Sequence, residues 1–153
     1  KIKKVKPDLG VVFGTRRLLD STINLFPDGL INIHRGLTQE YRGLDSELWP
    51  LYHKDFKNLG VTLHYIDTNL DTGDIIVQEK INIFKNMKCY HLRAWTTELA
   101  AKLLRSVLIN YKDQGIESTS QDKIGRYYSF MPLELKKIAK NNFEKYTKHN
   151  FMI

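Results

Sequence analysis

The run Leu30-Ile31-Asn32-Ile33-His34 constrains this chain more than any other segment. It is apolar, too short for a stable helix, and preceded by the turn residues Pro27-Asp28-Gly29, which together read as a buried strand. Side chains alternate across a strand, so Asn32 and His34 point to the same side of the sheet. Leu30, Ile31 and Ile33 surround them as a buried parallel strand requires. An amide and an imidazole held side by side there can stabilise a developing oxyanion. Asp71, within Leu70-Asp71-Thr72-Gly73, can orient and charge that imidazole from a later turn.

Around that strand the pattern alternates, which predicts an α/β layer structure. Val11 to Phe13 reads as a strand, and residues 17–26 show helical spacing at Leu18, Leu19, Ile23 and Leu25. A helix is predicted over 45–55, N-capped by Asp45 or Ser46. Strands follow over 61–66 and 75–83, the first with Thr62, His64 and Ile66 on one face. The longest helical pattern covers 88–112, with Leu92, Trp95, Leu99, Leu103 and Val107 as its inner face. A second amphipathic helix covers 132–149, with Leu135, Ile138, Ala139, Phe143 and Tyr146 inside. Its lysines permit a nucleic-acid reading; a docked helix with a solvated basic face is the preferred one.

Asn32-x-His34, Tyr41-Arg42-Gly43, Gly60-Val61-Thr62-Leu63-His64 and Leu70-Asp71-Thr72-Gly73-Asp74-Ile75 together resemble the 10-formyltetrahydrofolate-dependent formyltransferases. That family includes glycinamide ribonucleotide, methionyl-tRNA and sugar-nucleotide amine formyltransferases. The resemblance runs over residues 7–83 in the family's order and spacing. The tail Gly125-Arg126-Tyr127-Tyr128-Ser129-Phe130-Met131-Pro132 resembles a segment of small members. The implied fold is the C-terminal portion of a Rossmann-like domain, a mainly parallel sheet flanked by helices and followed by a helical tail. Residues 1–115 would form the catalytic region, lacking the family's N-terminal half, and 116–153 an extension packed on the same domain.

The resemblance assigns Asn32, His34 and Asp71 as a catalytic trio, with 10-formyltetrahydrofolate as formyl donor. Folate contacts map onto Arg17, Leu18, Leu19, His64, Asp67, Thr68, Asn69 and Leu70; Arg16 and Arg17 could attract a glutamate tail. His64 is read equally as a strand histidine packing beneath the loop. Arg35, Tyr41, Arg42 and Asp45 are expected to contact the acceptor. Tyr127, Tyr128 and Phe130 stack either on a base or pterin, or between the last helix and the sheet. Many members carry a proline-serine-leucine-leucine-proline run after the histidine, where this chain has Arg35-Gly36-Leu37-Thr38-Gln39-Glu40. That departure argues against purine-pathway and tRNA acceptors and leaves a small-molecule amine, with a nucleotide-linked amino sugar leading. Hydrolysis of formyltetrahydrofolate, or folate binding without catalysis, are the alternatives.

Composition narrows the class. At 153 residues, with 42% hydrophobic and 27% charged residues, one ordinary domain is expected. No apolar stretch is long enough to span a bilayer, and the single cysteine, Cys89, suits a reducing cytoplasm. The net charge of +7 permits an anionic partner such as a polyglutamylated folate or a nucleotide. Association with further copies stays open. Asp71-Thr72-Gly73 is also the aspartic-protease tripeptide, but those proteins are all-β and carry no long helix. Cys89-x-His91 is a single pair without partners, so no metal is expected.

Overall fold

The structure, a computed structural model, describes residues 2–150. A four-stranded sheet carries the order β1-β2-β4-β5, from β1 (Gly10–Phe13), β2 (Leu30–His34), β4 (Gly60–Tyr65) and β5 (Ile75–Lys80). A second, two-stranded sheet pairs β3 (Tyr41–Gly43) with β6 (Arg126–Tyr128). The helices are α1 (Ile2–Val5), α2 (Asp20–Ile23), α3 (Trp49–Tyr52), α4 (Cys89–Gln114) and α5 (Leu133–His149). Among the described residues, no helix is long and apolar enough to cross a membrane.

The α/β class is as expected, but the sheet is not mainly parallel. β1 runs parallel to β2, whereas β2–β4 and β4–β5 are antiparallel. Only residues 66–74 join β4 to β5. That link is shorter than the dozen or more residues a parallel crossover needs, so the chain folds straight back. The long connection between β2 and β4 is spent on β3 and α3.

Two predicted helices shrink to single turns. Over 17–26 only Asp20–Ile23 is helical, and Leu19 at the cap position offers no side-chain acceptor to hold a longer helix. Over 45–55 only Trp49–Tyr52 is helical. Asp45 does not cap it: its backbone is left-handed, at φ 51°, and its carboxylate accepts instead from the Met131 amide and Lys136.

The long helices bury slightly different faces from those the pattern suggested. On α4, Leu92, Thr96, Ala100 and Leu103 are buried, while Trp95 is 46% exposed. Thr96 is tolerated inside because its hydroxyl donates back to the Leu92 carbonyl at 3.0 Å. On α5, Ala139, Phe143 and Thr147 form the buried stripe at a spacing of four, and Ile138 faces out.

Two apolar clusters result. Ile31, Val61 and Leu63 on one face of the main sheet pack against Ala100 and Leu103 of α4. Leu51, Leu59, Met87 and Leu92 pack with Met131, Ala139 and Phe143 from the tail. Phe143→Ala should therefore destabilise the whole chain by about 3–5 kcal/mol. Urea unfolding should still give one transition, coincident by far-UV circular dichroism and tryptophan fluorescence.

Candidate active site

Antiparallel pairing of β2 with β4 sets Asn32 opposite His64 and His34 opposite Thr62. Directly opposed residues share a face, so the sheet presents four polar side chains there, away from the α4 core. Asn32 Nδ2 lies 3.1 Å from His64 Nε2. His64 Nδ1 lies 2.8 Å from the Tyr65 carbonyl, to which it must donate. The partners thus fix the tautomer: the proton is on Nδ1, and Nε2 accepts from Asn32. The opposite face being apolar, a one-residue slip would bury all four polar groups wrongly.

Asp71 reaches this face from the β4–β5 loop. The Asp67 carboxylate organises the loop, accepting from the Thr72 hydroxyl at 2.7 Å and the Asn69 amide at 3.0 Å. Gly73 is required on steric grounds, because a Cβ there would sit 2.0 Å from the Tyr65 carbonyl oxygen. Asp71 itself is left-handed, at φ 54°, a conformation that carries a cost in a non-glycine residue. Two distant side chains hold the loop: Arg42 donates to the Leu70 carbonyl at 2.8 Å, and Gln121 to those of Asp71 and Gly73.

The Asp71 side chain is 9% exposed, yet well supplied with partners. Oδ2 accepts from the Gly43 amide at 2.8 Å and lies 3.6 Å from His34 Nδ1. Oδ1 accepts from Asn32 Nδ2 at 3.3 Å and lies 3.6 Å from His64 Nε2. Burial works to raise the carboxyl's pKa, but His64, the His34 charge and the Gly43 N–H together hold it below the usual value. Of these, the amide dipole acts at every pH, whereas each histidine contributes only while its ring is protonated, since the neutral rings turn a lone pair towards Asp71.

His34 is buried, and burial pulls its pKa below 6.5 although Asp71 opposes this. Its Nε2 donates to the Tyr41 carbonyl at 2.8 Å, leaving Nδ1 to face Asp71. In the neutral ring Nδ1 is a lone pair directed towards a carboxylate. The pair is therefore built to receive one proton between Nδ1 and Oδ2.

Two clefts meet at Asn32 and Asp71. The smaller is lined by Arg16, Arg17, Leu18, His64, Asp67, Asn69 and Leu70. The larger, about 230 Å³, is lined by Phe13, His34, Arg35, Asp45, Glu47 and Arg93. Of the residues expected at folate, Arg17, Leu18, His64, Asp67, Asn69 and Leu70 fall in the smaller cleft. Leu19 is 75% exposed outside both clefts, and Thr68 lines neither, though its carbonyl accepts from Arg17.

Of those expected at the acceptor, Arg35 and Asp45 line the larger cleft, and Tyr41 and Arg42 do not. Tyr41 is buried, its hydroxyl donating to Asp55. Arg42 spans the Leu70 and Gly125 carbonyls, the latter at 2.6 Å. Tyr128 stacks 4.8 Å from Trp49 and 5.5 Å from Tyr41, so it packs the tail; Tyr127 and Phe130 are exposed outside both clefts. Glu47, Arg93 and Gln121 were not anticipated. Glu47 and Gln121 stand among other polar residues and Arg93 on a helix, with no motif to mark any of them.

Among the described residues, no three His, Cys, Asp or Glu side chains gather to hold a metal ion. His91 instead accepts from the Lys88 amide at the start of α4, and burial first, with the Glu144 charge, raises the Cys89 thiol to about 11.

The sequence model of the formyl transferase family matches residues 1–108. The chain belongs to that family. The methionyl-tRNA formyltransferase of Syntrophus aciditrophicus is 34% identical over 135 residues, covering 87% of this chain and 43% of that protein. The enzyme of the same name from Caldicellulosiruptor saccharolyticus is 40% identical over 111 residues, 71% of this chain and 35% of the relative. Among solved structures, the formyltransferase PseJ from Anoxybacillus kamchatkensis superposes with a TM-score of 0.71 at 28% identity. That match covers 80% of this chain and 65% of PseJ, which was crystallised with UDP-4,6-dideoxy-4-formamido-L-AltNAc and tetrahydrofolate. This family member spans less than half the length of the curated relatives it matches.

The lowered His34 value has a consequence for stability. A ring whose folded pKa lies below its unfolded one binds its proton more readily when unfolded, so acid favours unfolding. The stabilisation is complete above 6.5 and is lost as the pH falls through the folded value. The melting temperature should decline on acidification below 6.5. His34→Gln should flatten that part of the profile while leaving the carboxylate-driven loss at lower pH, both followed by circular dichroism.

Proposed function

We propose that this chain carries the catalytic region of an enzyme moving a formyl group from 10-formyltetrahydrofolate to an amine on a small molecule. The observation that carries this reading is the convergence of Asn32, His34 and Asp71 where the two clefts meet. The smaller cleft would take the folate, held by loop backbone around Leu18 and residues 67–70. The larger would take the acceptor. The tetrahydrofolate in the PseJ complex supports that donor, and a folate donor with one free thiol fits a reducing cytoplasm.

That geometry supports the following course of reaction. The neutral amine attacks the formyl carbon, and the carbonyl electrons move onto oxygen. The Asn32 N–H that reaches Asp71 over a long 3.3 Å can turn to that oxyanion. Such a donor is worth roughly 3–4 kcal/mol of barrier. The proton lost by the amine enters the Asp71–His34 pair, and protonated Nδ1 adds a second donor. Collapse of the intermediate breaks the bond to the folate nitrogen, which takes the proton and leaves as tetrahydrofolate.

The acceptor we favour is a nucleotide-linked amino sugar, supported by the UDP-sugar in the PseJ complex and by arginines on the larger cleft. A second reading, an aminoacyl-tRNA, is favoured by the name of the relative at 34% identity. Assaying transfer from 10-formyltetrahydrofolate to UDP-amino sugars and to methionyl-tRNA separates the two. With the productive acceptor, Asp71→Asn and His34→Ala should abolish turnover in folded protein. Asn32→Ala should lower kcat by about 10²–10³-fold. Near-normal turnover in either of the first two variants would refute the mechanism.

A further inference from the structure

We infer that Gln121, far along the chain in the segment between α4 and β6, is a positioning residue that sets the Asp71 carboxylate against the two histidines. Its amide nitrogen lies 3.1 Å from the Asp71 carbonyl and 2.9 Å from the Gly73 carbonyl. Facing two acceptors, that atom must be the NH2 group; the reversed amide would crowd three oxygens together. Both amide hydrogens are thus given to the turn that carries the carboxylate. The price is Oε1, which is buried without a partner.

The turn needs an external restraint. Asp71 is a non-glycine residue in the left-handed region, at φ 54°, and such a conformation persists only where surroundings over-determine it. From one side the turn is held by Arg42, whose guanidinium joins the Leu70 carbonyl to that of Gly125. From the other it is held by Gln121. Two residues before Gln121, Thr119 exchanges both backbone hydrogen bonds with Ile75, at 2.8 and 2.9 Å. Gln121 is therefore delivered to the turn by a fixed piece of backbone. Its segment lies beyond residues 1–108, where the family model matches.

The effect on chemistry runs through distance. With the turn clamped, Asp71 Oδ2 sits 3.6 Å from His34 Nδ1 and Oδ1 sits 3.6 Å from His64 Nε2. Without the clamp the turn relaxes, the carboxylate withdraws, and the imidazole loses the charge that favours its protonated form. His34 is faced by Asp71, by His64 and by the Tyr41 carbonyl. Asp71 is the one anion among these.

The proposal builds on the formyl-transfer reading for its significance, but its test does not. Gln121→Met keeps the side chain's length and removes both donors. Histidine ring titrations, followed by long-range 1H–15N NMR of the full chain without substrate, report the position of Asp71 directly. The expected result is a His34 midpoint lower than in the unaltered protein, moved towards that of an Asp71→Asn control. His91 and His149, which lie away from the turn, should not move. If Gln121→Met does not fold, Gln121→Asn, whose shorter amide reaches at most one carbonyl, replaces it with the same expected direction. A folded variant in which His34 titrates as in the unaltered protein overturns the proposal, whatever its activity. If the unaltered protein itself transfers no formyl group, a lowered midpoint in the variant still leaves the positioning role intact and counts against the function instead.

Discussion

Taking the Asp71 carboxylate out of water is the constraint on which the rest of the site depends. An isolated buried carboxylate is strongly disfavoured, so the fold must surround this one with donors before anything else can be arranged. The Gly43 amide gives the shortest of these, 2.8 Å, and it exists because β3 ends in a residue at φ 89°. A Cβ at that position would lie 2.2 Å from the Tyr128 carbonyl. Glycine is thus needed both for the conformation and for the close approach of β6. The neighbouring Arg42 acts through its side chain on the same loop. The pair Arg42-Gly43 is best understood as a support for the carboxylate, built partly from side chain and partly from main chain.

The same economy of parts explains the histidines. They are neighbours across two antiparallel strands, their ring centroids 6.4 Å apart, yet each is held by a different main-chain carbonyl. His34 donates through Nε2 and His64 through Nδ1. One ring therefore presents Nδ1 to Asp71 and the other Nε2 to Asn32. Two copies of one residue type take two roles because the backbone selects opposite tautomers. His64 belongs as much to the support of Asn32 as to the wall of the smaller cleft.

Much of this was legible in the sequence. The apolar run at Leu30–His34 and the strand pattern over 61–66 marked both central strands, and the long periodic runs marked α4 and α5. The trio at 32, 34 and 71 could be picked out because two members share a strand and because the ordered segments around all three resemble the formyltransferases. What was hidden falls into two kinds. Strand direction and helix rotation depend on how connections run and which face finds a partner, as Trp95 and Thr96 show. Polar residues that serve the backbone, such as Arg42, Asp45 and Gln121, look like surface residues in the chain. Their roles are made by carbonyls and amides, which carry no letter in a sequence.

The parallel pairing of Tyr41–Gly43 with Arg126–Tyr128 also governs the order of assembly. The strand that presents the Gly43 amide lies near the middle of the first half, and its partner more than eighty residues later, since Tyr41 pairs with Arg126. Contacts so distant along the chain form only after a costly loop closure. A nascent chain emerging from a ribosome can build the main sheet and most of α4 first. The carboxylate turn, waiting on residues 119–128, acquires its final geometry afterwards. The geometry of the candidate site is in this sense a late product of folding, completed by the tail rather than inherited from the sheet.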